Sequence, residues 1–173
     1  MLPVPIEEIL DLKLGIHMIP VPGLFNLHNI DAFLSSDLTG LYIDQDHLEY
    51  RYSRARYSLS HEVGHLVLHG DYLRGLPIDS PEMWKEVVLG KGSGHVMMET
   101  QANMFASLLL MPSGHLKREF EKAKAEIHAD PFFNQAKFLL DDISLVPFVA
   151  GKIGRIFDVS EEAAQYRLLK EVT

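Results

Sequence analysis

One short segment, residues 58–69, constrains what this chain can fold into more than any other part of it. It reads S-L-S-H-E-V-G-H-L-V-L-H and contains the pattern H-E-x-x-H. In a helix, the apolar side chains of this segment lie on one face and its polar side chains on the opposite face, that is, Leu59, Val63, Leu66 and Val67 against His61, Glu62 and His65. The segment therefore predicts a helix, ended by Gly70, that packs through one face and carries reactive groups on the other.

The polar face of this helix has the spacing of a metal site. His61 and His65 are four residues apart, which brings two imidazoles to one side of a helix, within reach of a single ion. Glu62 projects beside them, where a carboxylate can take a proton from a water molecule. The simpler alternative, two surface histidines on an amphipathic helix, stays open on this pattern alone.

A catalytic zinc ion usually takes three protein ligands, so a third ligand is needed. His69 is one candidate, but a continuous helix separates it from His61 by about 12 Å along the axis. We therefore expect His69 to lie outside the metal site, as a C-terminal residue favoured by the helix dipole. On this reasoning, the substitution His69→Ala leaves metal binding nearly unchanged.

The stronger candidate for the third ligand is Glu99, on a second helix predicted at about residues 95–111. The face of that helix also carries Ala102, Asn103 and Ala106. The small alanines allow a neighbouring helix to approach closely, which an exposed face would not need. Asn103 lies one turn beyond Glu99, where its side chain can hydrogen-bond a ligand histidine. The alternative is a surface glutamate on an ordinary core helix.

Two motifs together resemble the ImmA/IrrE family of zinc metallopeptidases. They are H-E-V-G-H-L-V-L-H at residues 61–69 and E-x-x-A-N-x-F-A-x-x-L-L-M-P at residues 99–112. The similarity extends to the basic and aromatic residues 54–60 and to the closing residues 157–168. It covers roughly residues 41–170 and implies a zincin-like fold with a gluzincin-like site.

The resemblance also implies a function and a set of site residues. His61, His65 and Glu99 would hold one Zn²⁺ per chain, and Glu62 would be the catalytic base. The protein would be a regulatory endopeptidase that cleaves a helix-turn-helix repressor, often in a stress response. A different hypothesis is a zinc-stabilised module that binds a repressor or antitoxin partner without cutting it. Four side chains are candidates for stabilising the oxyanion of the reaction: Tyr42, Tyr57, Tyr72 and His95.

The first part of the chain predicts a small sheet. Residues 16–21 read as a strand that follows a helix over residues 6–14. Residues 41–43 and 48–52 read as the two strands of a hairpin joined by a polar turn. An extended substrate would add to the sheet edge near residues 41–43. Three arginines lie in the second predicted strand or directly after it, and we expect them on a solvated strand edge: Arg51, Arg54 and Arg56.

The last part of the chain is predicted to be helical. The expected helices cover about residues 113–128, 131–140 and 144–157, followed by a helix capped by Ser160. Strands early in the chain and helices late in it favour an α+β fold. We therefore expect a zincin-like core at residues 1–112, with a small antiparallel or mixed sheet packed on the two site helices, and a helical C-terminal extension at residues 113–173 packed on that core.

The composition excludes several classes of protein. The 173-residue chain has no cysteine, which excludes disulfide scaffolds and thiol nucleophiles. Its net charge is −8, and neither residues 1–112 nor residues 113–173 have the basic excess of a nucleic-acid binder. No stretch reads as a membrane helix, and the first residues are acidic where an export signal is basic. We therefore expect a cytoplasmic protein with a protein partner, no membrane and no direct nucleic-acid contact, whose oligomeric state stays open.

Overall fold

The computed structural model describes residues 2–74, 76, 80–83, 93–131 and 141–173. By backbone proximity the chain divides into two compact units, Pro5–Ala106 on the one hand and Met1–Val4 with Ser107–Thr173 on the other. The first of these units contains all the residues of the expected metal site. The functional division at residue 112 stays a prediction.

The described residues of the first unit form short helices, a three-stranded sheet and two long helices. In chain order its elements are α1 (Ile6–Glu8, continued as a π-helix over Ile9–Leu14), β1 (His17–Val21), α2 (Leu24–His28), β2 (Ala32–Leu34), β3 (Gly40–Asp44), α3 (Gln45–Tyr50), α4 (Tyr52–Leu73) and α5 (Ser93–Leu110, whose last residues belong to the second unit). Gly15 ends the first helix, as predicted, in a left-handed conformation with a φ of 65° that glycine adopts without strain.

The sheet is mixed and has β3 in its centre. The strand order is β1-β3-β2, with β1 parallel and β2 antiparallel to β3. Helix α4 packs against β2 and β3. The predicted α+β class with a mixed sheet is therefore confirmed. The expected substrate edge at residues 41–43 is wrong, because β3 has a neighbour on each side and β1 and β2 form the edges of the described sheet.

Residues 45–50 form a helix, so the predicted second strand of a hairpin is wrong. The Asp44 carboxylate accepts a 3.0 Å hydrogen bond from the His47 N–H and caps α3. Its second oxygen accepts a 2.8 Å hydrogen bond from the Phe25 N–H in α2. The polar residues that suggested a turn thus begin a helix. The residues predicted as this strand do not form a buried face either, because Tyr50 is 78% exposed.

Helix α4 is longer than its sequence predicts, and this changes the position of several residues. It continues past Gly70 to Leu73, so His69 lies inside the helix and not at its C-terminus. The face of α4 that packs in the core is narrower than predicted. Leu59 and Val63 are buried, whereas Val67, which was expected on the same face, is 57% exposed.

The three arginines expected on a strand edge lie at the beginning of α4 instead. Arg51 precedes the helix, and the Arg54 guanidinium donates hydrogen bonds of 2.6 and 3.0 Å to the two carboxylate oxygens of Asp31. Arg56 is only 2% exposed, and its guanidinium packs over the ring of Tyr52. The expectation of a solvated edge is therefore wrong for Arg56, which belongs to the core.

The described part of the second unit is mainly helical, as predicted. Its helices are α6 (Ser113–Ala129), α7 (Asp142–Phe157) and α8 (Glu161–Val172). Ser160 caps α8 by accepting a 3.1 Å hydrogen bond from the Ala163 N–H. The helix predicted at residues 131–140 falls almost entirely outside the described residues. No helix in the described part of the chain is long and apolar enough to cross a lipid bilayer.

Candidate metal centre

Helices α4 and α5 approach each other at Gly64. A Cβ atom on Gly64 would lie 3.1 Å from both the Cα and the carbonyl oxygen of Ala102, and 3.2 Å from the Cβ of Phe105. Ala102 and Ala106 are completely buried, which confirms that this face of α5 receives a neighbouring helix. The glycine and the alanines therefore bring the two backbones together. This close approach places the polar face of α4 opposite Glu99 and Asn103.

The three expected ligands converge at this crossing. The Nε2 atoms of His61 and His65 are 2.9 Å apart. Glu99 Oε2 lies 3.2 Å from His61 Nε2, and Glu99 Oε1 lies 3.1 Å from His65 Nε2. One donor atom from each residue can be chosen so that all three lie within 4.8 Å of one another. The structure thus brings together the residues that the sequence analysis selected from two separate helices.

This donor set fits a zinc ion. Tetrahedral ligands at 2.0–2.1 Å from zinc lie roughly 3.3 Å from one another. The separations of 2.9–3.2 Å between the three side chains are close to that value. Two imidazoles and one carboxylate are also a ligand set of catalytic zinc sites that keep a position open for water or substrate.

Charge in the cluster favours a cation. Burial opposes ionisation of Glu99, but hydrogen bonds with His61 and His65 outweigh burial and lower the pKa of the carboxyl group. Burial also opposes the charged form of His61, but Glu99, together with the charge of Glu62, outweighs it and raises the pKa of that imidazole. Glu99 is therefore held in the negative form that binds a metal ion, whereas a proton on His61 must leave before that imidazole can bind one.

Glu62 lies next to the three donors in a different environment. It is 7% exposed, and burial raises the pKa of its carboxyl group, an effect that His65 and His61 partly offset. The backbone N–H of Leu34, in β2, donates a hydrogen bond to this carboxylate. A raised pKa suits a group that must both accept and release a proton near neutral pH.

Each histidine of the cluster has a hydrogen-bond partner on its second ring nitrogen. The Nδ1 atom of His61 lies 3.1 Å from Asn103 Oδ1, in the position expected from the sequence. The Nδ1 atom of His65 lies 3.2 Å from His69 Nδ1, and His69 Nε2 lies 2.9 Å from Gln101 Oε1. Neither Gln101 nor this contact of His69 was predicted, because His69 was expected at the C-terminus of the helix, outside the metal site.

A cleft of about 240 Å³ opens beside the cluster. Its lining residues come from the segment before β2, from β2 itself and from the two site helices, and they are Asn29, Ile30, Asp31, Ala32, Tyr57, Ser58, His61, Glu62, Glu99 and Asn103. Of the oxyanion candidates, Tyr57 lines this cleft, and His95 Nε2 lies 3.7 Å from Glu99 Oε1. Tyr42 instead stacks on Phe33, with ring centroids 4.7 Å apart, and Tyr72 lies in the last turn of α4.

Comparison with known families agrees with this geometry. The model of a peptidase family described as the IrrE N-terminal-like domain matches residues 40–169. The chain belongs to the ImmA/IrrE family of metallopeptidases. Comparisons with curated proteins and with solved structures give no significant match. The family predicted from the two motifs is therefore confirmed, whereas the role of each site residue stays a prediction that the geometry supports.

Proposed function

We propose that this protein is a zinc-dependent endopeptidase. The observation that carries the proposal is the convergence of His61, His65 and Glu99, with the buried carboxylate of Glu62 beside them, in a chain of a metallopeptidase family. The first three residues would hold one Zn²⁺ per chain. With three protein ligands, the ion would keep a fourth position open for water or substrate, as a hydrolytic zinc site requires.

The residues around the site have distinct roles in this proposal. A bound zinc ion would polarise the scissile carbonyl group and make water a better nucleophile near neutral pH. Glu62 would accept the proton of the attacking water and deliver it to the leaving nitrogen. The Leu34 N–H holds the carboxylate of Glu62 against β2. Tyr57 lines the cleft, so its hydroxyl is our candidate for the oxyanion donor.

The edge of β2 is the surface to which an extended substrate would add. The Asp31 carbonyl accepts a 2.9 Å hydrogen bond from the Asp44 N–H, and the Ser35 N–H donates a 2.9 Å hydrogen bond to the Gly40 carbonyl. Because backbone groups alternate in direction along a strand, those of Ala32 point away from β3. Ala32 also lines the cleft. A peptide strand paired with β2 would therefore pass next to Glu62.

The substrate in this proposal is a helix-turn-helix repressor. This part of the proposal rests on the ImmA/IrrE family resemblance. We also propose that the enzyme acts in the cytoplasm, in the control of transcription during a stress response. The net charge of −8 favours a protein partner over direct contact with nucleic acid.

The test uses a helix-turn-helix repressor as the substrate, chosen first from the products of the genes beside the one that encodes this chain. Zinc-loaded wild type should cut it at a defined bond, measured by mass spectrometry. Glu62→Gln should retain zinc but lose roughly 10²–10⁴-fold in rate, because glutamine cannot accept the proton. Glu49→Gln is a matched control, since Glu49 is exposed on α3, and should cleave like wild type. If Glu62→Gln releases the repressed genes as well as wild type does, the protein is a binding module and not a protease.

A further inference from the structure

Three side chains form a continuous hydrogen-bonded chain from the candidate metal centre to a surface residue of α5. His65 presents Nε2 to Glu99 Oε1 at 3.1 Å, and its Nδ1 lies 3.2 Å from His69 Nδ1. His69 Nε2 lies 2.9 Å from Gln101 Oε1. The chain thus runs from α4 across to α5, two residues beyond Glu99.

When a metal ion takes the lone pair of His65 Nε2, and Gln101 faces His69 through its amide oxygen, the contacts of this chain have one consistent arrangement of protons. The amide oxygen of Gln101 can only accept, so His69 must donate from Nε2. A neutral imidazole carries a single N–H, and therefore Nδ1 of His69 is an acceptor. His65 must then donate from its own Nδ1, which leaves Nε2 without a proton. In that tautomer the lone pair of His65 Nε2 points to where Glu99 and His61 converge, and a metal ion can occupy this point. Without a metal ion, a proton on Nε2 takes its place, because the carboxylate of Glu99 only accepts.

Burial makes this contact important for His65. The residue is only 7% exposed, so water is a poor substitute for a lost partner of its Nδ1. A buried nitrogen left without a hydrogen bond carries a desolvation cost. The other tautomer of His65, with its proton on Nε2, would leave Nδ1 of His65 and Nδ1 of His69 facing each other without a proton between them. It would also occupy the lone pair that a metal ion needs. A partner that accepts from Nδ1 therefore favours the form of His65 that binds a metal.

We propose that His69 and Gln101 are positioning residues that hold His65 in its metal-binding tautomer and orientation. The inference rests on the proposed metal site and extends it to two residues that are not ligands. It also replaces the expectation from the sequence that His69→Ala leaves metal binding nearly unchanged. Loss of a side chain that orients a ligand histidine typically lowers metal affinity 10–100-fold.

The first test measures zinc affinity by competition with a chromophoric chelator at one fixed pH. His69→Phe keeps an aromatic ring without an acceptor and should weaken zinc binding by about 10–100-fold. His69→Asn places an amide oxygen close to the position of Nδ1 and should restore affinity to within about threefold of wild type, since the acceptor is what matters. Gln101→Leu should fall between these two variants.

Two controls separate this role from a general loss of structure or of histidine. His17→Phe removes an exposed histidine of β1 and should leave zinc affinity unchanged. Thermal unfolding of the metal-free variants identifies any that fail to fold; if His69→Phe is among them, Gln101→Leu and His69→Asn still decide between the outcomes.

The second test reads the tautomers directly from two-dimensional NMR spectra of the ¹⁵N-labelled imidazole rings of zinc-loaded protein. The wild-type spectrum should show His65 protonated on Nδ1 and His69 protonated on Nε2. Protonation of His69 on Nδ1, or wild-type zinc affinity in both His69→Phe and Gln101→Leu, overturns the proposal. Absence of zinc binding by wild type would instead overturn the metal site itself, so the two failures are distinguishable.

Discussion

The packing of helices α4 and α5 and the geometry of the candidate metal centre both depend on Gly64. A methyl group added there would lie 3.1 Å from the Cα and carbonyl oxygen of Ala102, where ordinary contacts begin at 3.4 Å. The atoms in its way are backbone, so α5 must move away from α4 by some tenths of an ångström. Gly64→Ala gains about 1 kcal/mol from helix propensity but costs about 1–3 kcal/mol from overpacking. We therefore expect a loss of roughly 0–2 kcal/mol in the free energy of unfolding.

The same displacement should have a larger effect on metal binding. Glu99 and Asn103 lie on α5, whereas His61 and His65 lie on α4, so a shift between the helices changes the distances between donors. Metal–ligand distances tolerate only about 0.2 Å. We expect zinc affinity to fall at least about tenfold, measured by chelator competition, while urea unfolding of the metal-free protein gives the change in stability.

Gly70→Ala is the matched control on the same helix. A Cβ at Gly70 would meet Leu38 Cδ1 at 3.6 Å, which is an ordinary contact. This variant should gain roughly 0.5–1 kcal/mol in stability and keep its zinc affinity. If Gly64→Ala is stabilised as much as Gly70→Ala and binds zinc like wild type, the close approach of the two helices does not set the geometry of the site.

Two further predictions concern the third ligand and a buried histidine. Glu99→Ala should weaken zinc binding more than the roughly 10–100-fold expected for Asn103→Ala, because only Glu99 supplies a donor atom; the reverse order in a zinc titration would contradict the ligand assignment. Burial outweighs the attraction of Asp31 and Asp44 and lowers the pKa of His47 from 6.5, so protonation favours the unfolded chain. Neutral His47 therefore makes its full contribution to the free energy of unfolding above about pH 6.5, the pKa of a histidine in the unfolded chain. This contribution declines as the pH falls below that value, by at most about 1.4 kcal/mol per pH unit. His47→Gln should unfold in urea with a smaller pH dependence between about pH 6.5 and 5.5 than wild type, and an equal slope would contradict the argument.

The sequence predicted the site helices well because their physical constraints are local. The spacing of His61 and His65 requires a helix, and the small residues around Glu99 require a close neighbour. Both requirements hold in the structure, where Ala102 is completely buried. The capping serine of α8, Ser160, was predictable for the same reason, since the cap and its partner N–H are three residues apart.

The sheet was less predictable because its strands depend on distant partners. Strand β2 has three residues, too few to show a periodic pattern, and its role as an edge follows only from pairing with β3. The sequence 44–50 is compatible with a strand or a helix, and the capping bond from Asp44 decides between them. The contact of His69 with Gln101 joins two helices and has no local signal.

The most direct test of the account is an anomalous diffraction map of zinc-loaded crystals. We predict one zinc peak per chain, about 2.0–2.2 Å from Nε2 of His61, Nε2 of His65 and the carboxylate of Glu99, with Glu62 close by but not bonded to the ion. A peak bonded to His69, a peak elsewhere in the chain, or no peak in protein prepared with zinc would contradict the central claim that these three residues form the metal centre.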